Sequence, residues 1–276
     1  IVAGAGLSLS GAVMQSVLKN PLASPFTLGI SHAAAFGAAL AVMVLGAGTM
    51  GSSLGDAVSI SSPMLTLGSA FGFSMTAAGL VTIMAKLRRA SPEAMVLTGV
   101  ALGSLFTAGT MLLQFFADDV QLAAMVFWTF GDVARTGWKD LAVMTGITAL
   151  ILAYFWWNAW NYNAMDMGDE TAKGLGVRVE RIRLCSMMAA SFVTSVIISF
   201  VGIIGFIGLV APHMVRRLIG DDHRYLMPGS VLAGALILTA ADLGARLILL
   251  PHVLPVSVFT SFFGAPVFIY LIIKRK

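Results

Sequence analysis

Residues 94–116 read AMVLTGVALGSLFTAGTMLLQFF, from Ala94 to Phe116 without one charged side chain. A helix rising 1.5 Å per residue needs about 20 apolar residues to cross a hydrocarbon layer of about 30 Å, so this stretch is long enough to span a membrane. The same pattern recurs on both sides of it. The chain is 58% hydrophobic and 11% charged, with a mean hydropathy of +0.91, where an ordinary soluble domain carries about 25% charged residues. A water-soluble fold has no means of hiding that much apolar surface. The expected class is an all-α membrane protein, a polytopic helical bundle filling residues 1–276 as one domain.

Apolar runs bounded by Pro, Gly and charge give nine expected crossings, at about 1–18, 29–48, 63–85, 94–116, 141–161, 184–201, 204–219, 229–250 and 255–273. The second ends in the Gly-rich stretch around Gly51 and Asp56. Residues 120–131 are apolar but too short to cross, and are expected as a half-helix at the membrane surface or dipping into it. Tyr154, Trp156, Trp157, Trp160 and Tyr162 form the expected interfacial belt.

Alternating crossings put the loops at 19–27, 86–93, 165–183 and 216–227 and the tail 274–276 on one side. That side holds Lys19, Lys86, Arg88, Arg89, Lys173, Arg178, Arg181, Arg183, Arg216, Arg217, Arg224, Lys274, Arg275 and Lys276, whereas only Arg135, Lys139 and Arg246 fall opposite. Excess Lys and Arg marks the cytoplasmic face, and its agreement with the parity count supports the nine crossings together. The net charge of +4 is read as topology, with no nucleic-acid partner.

Gly4, Ser8, Ala12 and Ser16 recur every fourth position, as do Gly99, Gly103 and Thr107, and Ala33, Gly37 and Ala41. Such stripes let helix backbones approach closely; lining a pathway is the alternative. The lone Cys185 excludes an internal disulfide and is expected as an inert packed thiol. No P-loop and no His-Glu-x-x-His is present, and His32, His213, His223 and His252 lack metal-ligand spacing on one helix. No catalytic residue, metal ligand or cofactor is expected in the chain. Few carboxylates lie in the crossings, against a proton-coupled carrier. Asp242 and Arg246 share one helix face near the outer boundary. The chain opens on Ile1, Val2 and Ala3 without a starting Met or a basic leader, and is expected to begin inside a membrane protein.

Ser10–Gln15 (SGAVMQ), Asn20–Ala23 (NPLA), Leu28–Ser31 (LGIS), Leu97–Gly103 (LTGVALG), Gly168–Gly176 (GDETAKGLG), Gly205–His213 (GFIGLVAPH), Asp222–Arg224 (DHR), Ala241–Arg246 (ADLGAR), Leu254–Pro255 and Gly264–Pro266 (GAP) occur in this order. Together they resemble the permease subunits of type II ABC importers, the FecCD family of iron-siderophore, haem and cobalamin transport, closest in pattern to its cobalamin-transporting members. The resemblance implies ten crossings per subunit, of which these nine are the second to the tenth, and a multi-pass place in the bacterial or archaeal inner membrane. It implies a dimer with a second permease subunit, two cytoplasmic ATPase subunits that carry ATP and magnesium, and an extracytoplasmic binding protein.

Three sites follow from the matching motifs. Gly168, Asp169, Glu170, Thr171, Ala172, Leu175 and Gly176 fall in the ATPase-coupling segment, 165–183, which is expected to form two short helices split at Gly174 and Gly176. Asn20, Pro21 and Leu22, with Ser91, Pro92 and Glu93, fall at the cytoplasmic gate, although Ser91-Pro92-Glu93 departs from the small polar residues expected there. Arg246, oriented by Asp242, matches an arginine that receives an acidic residue of the binding protein. The rivals are a stand-alone secondary carrier, which should show intramembrane acids or inverted repeats, and a non-catalytic membrane scaffold.

Overall fold

A computed structural model describes residues 1–46, 48–49, 59–60, 62–87, 91–249 and 252–273. Gly51, Asp56, Arg88, Arg89 and Lys274 to Lys276 lie outside the described residues. The chain is helical almost throughout: α1 (Val2–Val17), α2 (Ile30–Met43), α3 (Pro63–Leu87), α4 (Pro92–Phe116), α5 (Asp119–Thr129), α6 (Trp138–Trp157), α7 (Ala159–Asp166), α8 (Asp169–Gly174), α9 (Val179–Val201), α10 (Ile207–Ile219), α11 (His223–Leu247) and α12 (Val256–Ile273). A two-residue antiparallel pairing joins Gly48–Thr49 to Ser59–Ile60. Among the described residues, α3, α4, α6, α9 and α11 are long and apolar enough to cross a membrane, while α1, α2 and Val256–Tyr270 are shorter apolar helices.

Local chemistry sets the helix ends. Ser91 caps α4, with Pro92 in the first turn, where a missing N–H costs nothing. The expected half-helix is α5, started by a reciprocal capping box between Asp118 and Gln121. The tight connection between α9 and α10 runs through Gly202 at φ +78° and Phe206 at φ +67°, and Phe206 is a bulky side chain held in a region where only glycine is comfortable.

The centre of the bundle is α1, buried from Ala3 to Val17 and surrounded by α9, α10 and α11, with α6 against one side. Its small-residue stripe packs and does not open a pathway. A Cβ on Gly4 would stand 2.2 Å from the Gly234 carbonyl oxygen, and one on Gly234 would meet the Ser8 Cβ at 2.3 Å. Gly11, on an adjoining face, lies against Gly208 so closely that an added Cβ would be 1.8 Å from its carbonyl oxygen. Gly37 similarly abuts Ser69, and Gly99 abuts Leu28. Exchanging side chains for backbone contact in this way is how membrane helices gain dispersion energy without a hydrophobic driving force. Outward faces remain apolar, with Leu97 and Leu105 of α4 at 70% and 65% exposed, as contact with lipid requires.

Three expectations are corrected. Tyr162 is no belt residue: its ring is fully buried and its hydroxyl hydrogen-bonds Ser186 at 2.7 Å, because the chain breaks at Asn158 and α7 turns Tyr162 inward. Within 165–183 the break at Gly174 and Gly176 is present, but it separates one short helix, α8, from the start of the long α9 at Val179, so the loop holds one short helix and not two. Cys185 is exposed, on the outer side of α9 beside Tyr154, Ile182 and Met188, and not packed inside.

Candidate functional site

The last turn of α1 ends where the Asn20-Pro21 turn begins, and three other elements grip it. Arg216 of α10 donates from Nη1 to Gln15 Oε1 at 2.7 Å. The Ser16 hydroxyl donates to Asp166 Oδ1 of α7 at 2.6 Å, and the other carboxylate oxygen of Asp166 is 2.9 Å from Nε2 of the buried His223 on α11. Arg183 of α9, 2% exposed, donates from Nε to the Val17 carbonyl oxygen at 2.7 Å and from Nη2 to both oxygens of Asp169 at 2.9 and 3.0 Å. Lys19 completes the set at 2.7 Å from Asp169 Oδ1. Asp169 opens α8, so one carboxylate ties the expected coupling segment to the residues just before the expected gate.

Glycine geometry explains why α8 sits where it does. Gly168 has φ +122° and Gly176 has φ +85°, conformations that side chains other than glycine resist, so the six-residue helix is bracketed by two sharp changes of direction. Ala172 points into the core, whereas Glu170 and Leu175 project outward, Glu170 bound only to Lys173 by an exposed pair at 2.8 Å. An exposed pair of this kind contributes little to stability, so the fold itself does not require the outer face of α8 to be charged. Thr171 lies near Gly168.

Around the expected gate, Asn20 Oδ1 accepts from the Leu22 N–H at 2.9 Å, a local turn that leaves Pro21 and Leu22 exposed. The chain then passes through Pro25–Leu28, a single 3-10 turn, onto Gly29, whose φ of +74° sets its backbone against Gly99 and Gly103 of α4. The Ser91 hydroxyl donates to Glu93 at 2.5 Å. The Asn20 turn is therefore linked to the expected coupling segment through the Lys19–Asp169 pair, whereas Glu93 is bonded to its own neighbour Ser91.

At the opposite end, Arg246 Nε donates to Asp242 Oδ2 at 2.9 Å. The pair lines a cavity of about 490 Å³ shared with Asp132, Arg135 and Pro255. Two further cavities, of about 620 and 460 Å³, lie on either side of Phe26 and Thr27; Gly205, Phe206 and Ser261 line the first, and His32, Gly103 and Thr107 the second. Among the described residues no cluster of three or more His, Cys, Asp or Glu could hold a metal ion.

Sequence reasoning missed Gln15, Ser16, Asp166, Arg183, Arg216 and His223 as members of one network. Arg183 counted only as topological charge; its signal was its place on the Ser186 and Ala190 face of α9, three and seven residues on, and all three are buried.

The electrostatics of the two carboxylates carry a pH prediction. Burial pushes Asp169 up, but the hydrogen bonds from Lys19 and Arg183 outweigh it and hold the group below its ordinary 3.8; Asp166 is held low the same way, against its own burial, by His223 and Ser16. A carboxyl with a depressed folded-state pKa adds stability that is present above its unfolded value and lost as pH falls through the folded one. The stability gap between wild type and Asp169→Asn in detergent should stay constant above about pH 5 and close below the ordinary carboxyl value. Thermal unfolding at stepped pH measures it.

A model of the FecCD transport family matches residues 1–274. A Methanocaldococcus jannaschii protein named as an ABC transporter permease is 52% identical over 274 residues, which cover 99% of this chain and 78% of that one. The hemin transport system permease protein HmuU of Yersinia pestis is 33% identical over 276 residues, 100% of this chain and 80% of its own. The vitamin B12 import system permease protein BtuC of Citrobacter koseri is 36% identical over 282 residues, 100% and 80% respectively. Among solved structures, an inward-facing metal-chelate type ABC transporter superposes with a TM-score of 0.87 at 30% identity, covering 99% of this chain and 83% of that one.

Proposed function

Because this chain belongs to the FecCD transport family, whose members are membrane permeases and not enzymes, we propose that it is the permease subunit of an ATP-driven importer for a metal chelate. Nine helices, α1 to α4, α6 and α9 to α12, cross the inner membrane in this reading, with α5 as the half-helix. A second permease copy, two ATPase subunits that bind ATP and magnesium, and an external binding protein complete the machine. The observation that carries the proposal is the Asp169 link. An element can pass force to a gate only if the connection is stiffer than its surroundings, and here charge-assisted bonds join α8 to the last turn of α1 through a buried arginine.

The ATPase moves α8 as nucleotide binds; Lys19 and Arg183 carry that displacement to Asn20, Pro21 and Leu22, and access shifts from one side to the other. The bound partners act by differential affinity for the two states. Arg246, held by Asp242 beside the outer cavity, receives a carboxylate of the loaded binding protein. Nothing covalent takes place in the chain.

The test is ATP hydrolysis in liposomes by the full-length protein with its ATPase. Stimulation by loaded binding protein should be lost on Glu170→Arg and on deletion of 168–176. No ATPase association in the intact protein would favour the secondary carrier.

A further inference from the structure

Among the described residues, His32 is the one ionisable side chain lining the two cavities that flank Phe26 and Thr27. It sits in the first turn of α2, exposed to the cavity. No hydrogen bond or ion pair within the described residues engages its ring. A histidine kept for structure inside a membrane protein has its ring nitrogens satisfied by neighbours. This ring is instead given room: its Nδ1 edge lies over Gly103, where an added Cβ would stand 3.4 Å away, which leaves Nε2 as the less crowded nitrogen. The lining gives a proton relay no second station, since among the described residues no Asp, Glu, Lys, Arg or second His borders either cavity.

Building on the importer reading, we infer that His32 is a cargo-contact residue that lends an axial nitrogen to the metal of a passing chelate in which one coordination position is held by an exchangeable water. The hydroxyls in the same cavity, of Thr27, Ser104 and Thr107, donate their protons to the backbone carbonyls of Ser24, Val100 and Gly103, so what the imidazole adds is an uncommitted nitrogen lone pair suited to iron, cobalt, copper or zinc. One coordination bond forms, from the neutral ring nitrogen to the metal, and one bound water leaves; no electron or proton is transferred. A single protein ligand recognises the metal without assembling the three or four donors that would strip it from its chelator. The bond is correspondingly easy to break when access switches. Cargo whose metal is already fully enclosed gains nothing from His32, so the residue discriminates by coordination state.

The test uses the full-length protein in nanodiscs with ferric protoporphyrin as probe and metal-free protoporphyrin as control, read by absorbance and electron paramagnetic resonance. Wild type should show an imidazole-ligated ferric spectrum. Loss even of a supporting group around a metal ligand costs about 10–100-fold in affinity, so His32→Ala and His32→Asn should each weaken signature-bearing binding at least about tenfold. Added imidazole should restore the signature in His32→Ala, and His213→Ala and His252→Ala should retain it. A signature that survives His32→Ala, or wild-type binding without one, overturns the inference. Because this readout needs no ATPase, an intact signature supports the cargo site even where stimulated ATP hydrolysis fails and the importer reading falls.

Discussion

A single methyl group added at Gly11 will stop the protein accumulating in folded form. The new Cβ would stand 1.8 Å from the Gly208 carbonyl oxygen and 2.5 Å from its carbon, so the atoms in the way are backbone. Overpacking costs about 1–3 kcal/mol where side chains can shift aside. Here α1 and α10 must separate along their length, and the cost exceeds that range. Gly146→Ala in α6 is the matched control, because nothing lies within 4 Å of its added Cβ and a helical alanine gains up to about 1 kcal/mol over glycine. Size-exclusion profiles of the two variants, expressed in parallel, decide the matter: a monodisperse peak for Gly11→Ala would show that the helices are not in backbone contact.

Arg183→Gln should be the most damaging of the polar substitutions. It leaves the buried Val17 carbonyl and one side of Asp169 without their donor. Breaking a buried charged pair by removing one partner costs about 3–5 kcal/mol; Asp169 is a third exposed and keeps Lys19, so the lower end, about 3 kcal/mol, is expected. Arg183→Lys retains the charge but not the fork that serves two acceptors at once, and should fall between. The exposed Arg178→Gln should change little. Thermal unfolding in detergent gives the order wild type, Lys, Gln; equal midpoints for Arg183→Gln and Arg178→Gln would refute the claim that this arginine holds the network together.

Helices were legible where composition alone determines them. The charge-free run at 94–116 becomes α4, Ser91 and Pro92 mark its start, and the apolar but short 120–131 becomes α5. The small-residue stripe of α1 is legible too, since Gly4 has no other reason to precede Ser8 at helical spacing. Helix orientation about its own axis was less so. Tyr162 and Cys185 exchange the places expected of them because aromatic and apolar content says where a residue lies along the membrane normal, not which neighbour it faces. The network around α1 was hidden for a different reason: Gln15, Asp169, Arg183 and Arg216 are spread over 201 residues, and single-sequence patterning has no means of pairing them.

The burial of α1 also sets a timetable. This helix is made first among those described, yet its backbone partner at Gly208 follows Gly11 by 197 positions. At roughly 5–20 residues per second the ribosome needs about 10–40 s to deliver it. Through that interval α6 and α9 arrive, but Gln15 still lacks Arg216 of α10 and Ser8 still lacks Gly234 of α11. A newly made chain must therefore hold its future axis in lipid or against an insertion chaperone until the second half arrives, and ribosome stalling anywhere between α2 and α10 will expose the same polar segment to membrane quality control.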